Sequence, residues 1–191
     1  RLEDSEYTWF DFPQEFGESQ VAEAMEQIAA EYGAGILYSS ARQAYGINRM
    51  QRILNRTVDT LQKQLQKGEF VPMGHEISFR YVEDLAAVDV TLSQEEKMRL
   101  TGRIDRVDVA EEEEKVYVKV IDYKSGTHQF QLASVYYGLQ LQLVVYMNAA
   151  MELVSKKYQD KEIVPAALLY YHVEDPMVEA GGAAGEEDIN Q

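Results

Sequence analysis

The sequence contains no cysteine. That absence removes a disulfide scaffold, a cysteine zinc site, an iron–sulfur cluster and a cysteine nucleophile from this chain. Cationic side chains are scarce: 18 Lys and Arg stand against 33 Asp and Glu, for a net charge of −15 at pH 7. Such a surface does not attract phosphate backbones by its overall charge, so any nucleic-acid function has to answer that objection. The three histidines, His75, His128 and His172, show no metal-ligand spacing to one another, and each reads as structural or exposed. There is no glycine-rich Walker loop, so no ATP site is expected. No apolar run approaches the ~20 residues of a membrane span, and nothing at the start reads as a signal peptide. The expectation is a soluble, cytoplasmic protein that makes no membrane contact. The chain starts at Arg1 and finishes in a small, acidic segment from Ala180 onward, so both ends are expected to be cut edges of a longer protein.

The pattern along the chain divides it in two. Residues 1–18 hold Trp9, Phe10, Phe12 and Phe16 among acids and read as a partly docked lead-in. Val21, Met25, Ile28 and Ala29 have helical spacing and predict a helix from Ser19 to about Glu31, stopped by Gly33 and Gly35. A longer helix is predicted from about Ala41 to Lys67, with Met50, Ile53, Leu54, Leu61 and Leu65 as its apolar stripe and Gly68 as its stop signal. Short strand-like runs follow: Glu76 to Tyr81, Leu100 to Val109, and Val116 to Tyr123. Glu111 to Glu114, with Lys115, fits an exposed hairpin turn between the last two. One long helix is predicted over Gln129 to about Tyr158, then a final strand over Ile163 to Val173.

Within this pattern, Ile121-Asp122-Tyr123-Lys124-Ser125-Gly126 follows the apolar run Val116, Val118, Val120. Asp122 and Lys124 are two apart on a strand and share a face. A carboxylate beside an ammonium suits phosphodiester hydrolysis: the Asp holds a divalent cation, and the Lys orients or deprotonates water or steadies transition-state charge. An isolated Asp-x-Lys is more often an ordinary surface ion pair beside a turn. In Gly102-Arg103-Ile104-Asp105-Arg106-Val107-Asp108, Asp105 can meet Asp122 as a second hard-oxygen ligand for Mg²⁺ or Mn²⁺ if the hairpin forms. The bland alternative is a charged exposed strand in which Arg103 and Arg106 pair the acids. Asp108 reads as structural, a cap on the hairpin. Glu76 could complete a carboxylate set or simply face solvent. Gln142 and Tyr146 lie four apart on one helix face, where they could support a catalytic carboxylate or contact DNA. Tyr136, Leu139, Leu143 and Tyr146 also read as a core stripe.

In this order the clusters resemble the RecB-family nucleases of the PD-(D/E)XK superfamily, and the stretch Val135-Tyr136-Tyr137-Gly138-Leu139-Gln140-Leu141-Gln142-Leu143 is similar to the AddB (RexB) group of bacterial helicase–nuclease subunits. The likeness covers about residues 70–180. It implies an α/β (mixed α+β) fold with a restriction-endonuclease-like core, a central mixed sheet flanked by helices. It implies metal binding by Asp105 and Asp122, a catalytic Lys124, Glu76 as a further acid, and support of the site or the DNA by Gln142 and Tyr146. It also implies a Mg²⁺-dependent exonuclease that takes a single strand from an unwound duplex end beside an AddA-type helicase–nuclease subunit. The wider role would be recombinational repair of double-strand breaks. The alternative is a noncatalytic, nuclease-like scaffolding module of a repair complex. Two family features are missing, an upstream histidine motif and four cysteines for an iron–sulfur cluster. Both are expected in the remainder of a longer protein, which would also supply the basic channel, so this chain alone should cleave poorly. The expected division is a helical extension over 1–69, the nuclease core over 70–180 and a flexible acidic tail over 181–191.

Overall fold

The computed structural model describes residues 2, 4–31, 40–79, 89–91, 97–99, 101–125, 131–137 and 141–173. The first helix, α1 (Gln14–Glu31), begins five residues before the expected Ser19. Pro13 carries the first helical carbonyl, which accepts from Gly17 N at 3.2 Å, and proline's fixed φ suits the start of a helix. The second helix, α2 (Ala41–Leu65), is capped by Ser40, whose hydroxyl accepts from Gln43 N. Its stripe is less complete than its spacing predicts, since Leu65 is buried but Met50 is 51 % exposed. Two glutamines fasten the lead-in to α2, one in its last turn and one at its C-cap: Gln62 Nε2 donates to Phe12 O at 2.8 Å and Gln66 Nε2 to Phe10 O at 2.6 Å.

The strands are β1 (Val71–Phe79), β2 (Asp89–Thr91), β3 (Lys97–Arg99), β4 (Gly102–Glu111), β5 (Lys115–Lys124) and β6 (Glu162–His172). β1, β4, β5 and β6 form one mixed sheet in the order β1-β4-β5-β6, and β2 and β3 form a separate two-stranded ribbon that the sequence pattern does not anticipate. β4 and β5 pair antiparallel, with Arg106 opposite Ile121 and Glu111 opposite Val116. Their turn is closed by Glu112 N donating to Lys115 O at 2.8 Å. The acidic run Glu111 to Glu114 therefore sits at one end of the hairpin, and Asp122 and Lys124 lie at the other.

β5 and β6 are parallel, so the chain must cross over between them. The crossover is not the single helix expected from Gln129 to Tyr158. It consists of a short α3 (Leu132–Tyr136) and a separate α4 (Gln142–Lys157). Tyr137 closes α3 at φ −82°, ψ 7°, just before Gly138, a residue of poor helix propensity. The expected stripe fails with the helix, because Tyr136 is 84 % exposed while Leu143 is buried; Leu139 and His128 lie outside the described residues.

The core forms where α4 crosses the sheet. Leu143, Met147, Ala150 and Val154 recur at helical spacing and meet Val107, Val109, Val116, Val118 and Val120. This arrangement is the mixed sheet with flanking helix that the sequence implies. Among the described residues, no helix is long and apolar enough to cross a membrane.

Candidate active site at the end of the valine ladder

Val116, Val118 and Val120 are fully buried beneath α4. Successive odd or even positions of a strand share a face, so Asp122 and Lys124 continue that same row. The apolar ladder thus becomes a carboxylate and an ammonium at the carboxyl end of β5. That end lies beside the parallel neighbour β6, the usual place for a ligand site in an open α/β sheet. Asp122 is only 2 % exposed. Lys124 Nζ lies 2.6 Å from Asp122 Oδ2. The contact has the distance of an ion pair, and it places the ammonium directly on the buried carboxylate. A buried carboxylate is costly unless a cation accompanies it, and here Lys124 is that cation.

The N-terminal turn of α4 closes over this pair. Gln142 Oε1 accepts from Lys124 Nζ at 3.3 Å, while Gln142 Nε2 donates to Tyr146 Oη at 2.9 Å and, at a long 3.5 Å, to Asp122 Oδ1. Tyr146 stands edge-on to Phe79, with centroids 5.6 Å apart. Gly102 is needed beneath them: a Cβ there would lie 2.6 Å from Phe79 Cζ and 3.1 Å from Tyr146 Cε1.

Asp105 enters from β4. Regular β4–β5 pairing stops at Arg106 and Ile121. Ile104 and Val107, an odd number of residues apart, nevertheless both belong to the core, so the alternation slips by one around Asp105. The slip turns the Asp105 carboxylate toward β5, where its Oδ2 accepts from Tyr123 N at 2.8 Å. Asp105 is close enough to act electrostatically on Lys124. Burial alone would favour loss of the Lys124 charge, but the hydrogen-bonding and charge of Asp122, with smaller help from Tyr170 and Asp105, raise its pKa above the ordinary lysine value. Asp122 therefore favours the charged form of Lys124, which presents a cationic donor at the end of β5.

The structure thus gathers Asp105, Asp122, Lys124, Gln142 and Tyr146. It does not add Glu76 to them as a third carboxylate, since among the described residues no group of three acids or histidines is arranged to hold a metal. Glu76, at φ 53°, forms a 2.6 Å ion pair with Arg103 at a surface where both side chains are more than half exposed. Asp108 is structural, as its sequence reads, but as a buried ion-pair partner and not as a hairpin cap. It lies mid-strand with no exposure and holds Arg106 through Nε at 2.6 Å and a second nitrogen at 2.9 Å, with Lys119 also at 2.9 Å. His75 packs against Trp9, centroids 5.4 Å apart, and His172 is the register partner of Lys124 on β6. Sequence reasoning missed Tyr170, which pairs with Asp122 in register and carries Lys124 Nζ 5.5 Å over its ring. The Tyr-Tyr-His end of β6 was its available signal.

Hard anionic oxygens from Asp105 and Asp122 are the donor type that suits Mg²⁺ or Mn²⁺. An acid on one strand and an Asp-x-Lys pair at the carboxyl end of its neighbour, on this mixed sheet, form the frame of a PD-(D/E)XK nuclease fold. The family model of the PD-(D/E)XK nuclease superfamily matches residues 11–191, and the chain belongs to that superfamily. It is 40 % identical over 186 residues to the B subunit of the ATP-dependent helicase/deoxyribonuclease of Alkaliphilus oremlandii, covering 97 % of this chain and 16 % of that protein. The corresponding B subunit from Lachnoclostridium phytofermentans is 44 % identical over 194 aligned residues, covering 100 % of this chain and 15 % of that protein. A third, from Clostridium novyi, is 37 % identical over 98 % of the chain. The chain spans 15–16 % of the length of these curated relatives.

Proposed function

We propose that this chain is the Mg²⁺- or Mn²⁺-dependent deoxyribonuclease domain of a helicase–nuclease, within a B subunit like those of its relatives. It cuts one DNA strand delivered from an unwound duplex end, in the cytoplasm and beside an AddA-type partner, during recombinational repair of double-strand breaks. The observation that carries the reading is the nearly buried Asp122 carboxylate paired with Lys124 at the carboxyl end of β5, with the Asp105 carboxylate held against the same strand by Tyr123 N. Family membership and the deoxyribonuclease names of the relatives support it.

Asp105 and Asp122 would hold the divalent ion, which when bound supplies an activated water and neutralises charge at the phosphoryl group. The residues themselves do the remaining work. Lys124, kept cationic by Asp122, places a charged donor where negative charge grows on the phosphoryl oxygens. Gln142 ties Lys124 to α4 and holds its direction. Tyr123 N fixes one oxygen of Asp105, leaving the other for the ion.

The test compares two variants of the full-length subunit in its complex. Asp122→Asn should lose both Mn²⁺ binding by calorimetry and cleavage, since a neutral amide is a poor ligand for a hard cation. Lys124→Ala should keep Mn²⁺ binding and lose cleavage by about 100-fold or more, the typical effect of removing one transition-state donor. Cleavage by Lys124→Ala within about threefold of the parent would reduce the pair to an ordinary ion contact and end this reading.

A further inference from the structure

The net charge of −15 gives this chain no overall attraction for phosphate. A single DNA strand, however, also offers uncharged surface, the faces of its bases. The described residues present a matching surface at one place. Tyr136 is 84 % exposed and Tyr137 74 %, flanked by Leu132 at 74 % and Leu141 at 49 %. Neither tyrosine hydroxyl makes a hydrogen bond among the described residues. The two rings touch each other edge to face, with centroids 5.2 Å apart and planes at 83°. They therefore present two aromatic faces at right angles, stiffened by their mutual contact.

The place of this pair in the fold gives it meaning. α3 lies in the crossover between β5 and α4. One tether of that crossover starts at Lys124 and the other finishes at Gln142, and Gln142 accepts from Lys124. Tyr137 is five residues from Gln142, so its Cα lies within about 18 Å of that residue's even at full extension. An exposed aromatic corner is thus bound to the site from both sides.

We propose that Tyr136 and Tyr137 are a stacking platform for the bases of a single DNA strand entering the site. The inference rests on the nuclease reading for its ligand. A duplex keeps its base faces stacked on one another and shows this acidic chain mainly phosphates, so the platform selects single strands. Base–aromatic stacking is sequence-tolerant, because every base has a π-face. The platform therefore gives affinity without a sequence preference, as an enzyme working along arbitrary DNA requires.

The experiment measures binding by fluorescence anisotropy in EDTA, where no hydrolysis competes. The probes are an oligothymidylate of about 12 nucleotides, within the span of single-strand sites, an abasic strand with the same number of phosphates, and a duplex of that length. The thymidylate should bind at least about tenfold tighter than either other probe. Tyr136→Ala and Tyr137→Ala should each weaken it by about 5- to 100-fold, and Tyr→Phe at either position should restore it, since the ring and not the hydroxyl stacks. Both side chains are largely exposed, so the melting temperature should not change. Equal affinity for the abasic strand, no detectable thymidylate binding, or unchanged affinity in both alanine variants overturns the proposal. If the alanine variants instead weaken association with a partner protein while the two strands bind alike, the patch is a protein interface and the proposal is wrong. Lys124→Ala separates the two ideas: lost cleavage with intact stacking leaves both standing. Intact stacking with undiminished cleavage ends the nuclease assignment alone.

Discussion

Replacing Asp108 with asparagine should destabilise the protein by about 3 kcal/mol, although it lies outside the candidate site. Asp108 has no solvent exposure and Arg106 only 3 %. The guanidinium makes two hydrogen bonds to the carboxylate, at 2.6 and 2.9 Å, and Lys119 approaches to 2.9 Å. Burial alone would favour loss of the Arg106 charge, but the hydrogen bonds and charge of Asp108 outweigh it and raise its pKa above the ordinary value. Asparagine keeps the shape and removes the anion, which leaves two cations facing an amide. Breaking a buried pair from one side costs about 3–5 kcal/mol, and Lys119, 17 % exposed, can relax toward solvent, which places the estimate at the lower end. For a domain of this size, about 3 kcal/mol lowers Tm by roughly 6–12 °C and moves a urea midpoint by about 1.5 M at an m-value near 2 kcal/mol/M. The double variant Arg106→Met/Asp108→Leu, which removes both charges, should recover most of the loss. Urea unfolding followed by circular dichroism measures all three. A loss below about 1 kcal/mol for Asp108→Asn would show that water reaches the cluster and that the argument from burial is wrong.

Gly102→Ala should cost about 1–3 kcal/mol, because its Cβ would meet Phe79, itself 2 % exposed, at 2.6 Å. It should also lower cleavage by disturbing Tyr146 and thereby Gln142, a coupling that denaturation and single-turnover assays read separately. In metal-free protein, Lys124 should titrate above the ordinary lysine value of about 10.4, because Asp122 favours its charged form. A raised folded pKa stabilises the fold at all pH below the unfolded value, and this stabilisation is lost as pH rises through the folded one. An NMR titration of the Lys124 Cε resonance with its midpoint below about 10 would remove Asp122 as its counter-ion.

The β4–β5 hairpin was legible because its information is local. Alternating valines mark a half-buried strand, and four consecutive glutamates cannot enter a core. The same alternation puts Asp122 and Lys124 on one face from the sequence alone. What covers a strand's other face is not local, and there the sequence misleads. Asp108 between Val107 and Val109 looks like a solvent-facing residue near a turn, yet it is buried, and Lys119 beside it lies 4.5 Å under the ring of Phe70 from a distant part of the chain. The break between α3 and α4 was hidden for a similar reason. Apolar spacing runs unbroken through Tyr136 and Leu143, and periodicity does not register that one is solvent-exposed and the other is buried. The Asp105 slip and the Tyr170 ring beside Lys124 depend on strand register, which only the assembled sheet specifies.

The run Glu111 to Glu114 lies just before β5, a strand ten residues long, and the Asp122–Lys124 pair lies at its far end. At about 3.3 Å per residue the strand holds them roughly 30 Å apart. At physiological ionic strength the Debye length is about 8 Å, and at 0.01 M salt it is about 30 Å. In dilute buffer a polyanion near Lys124 therefore still senses the glutamates, whereas in cell-like salt it is shielded from them. The strand acts as an insulating rod whose far pole is hidden by ordinary electrolyte. For most nucleic-acid proteins added salt only weakens capture. Here the first additions of salt, from dilute buffer upward, should hasten encounter with a DNA strand, and the usual decline should set in only at higher concentrations.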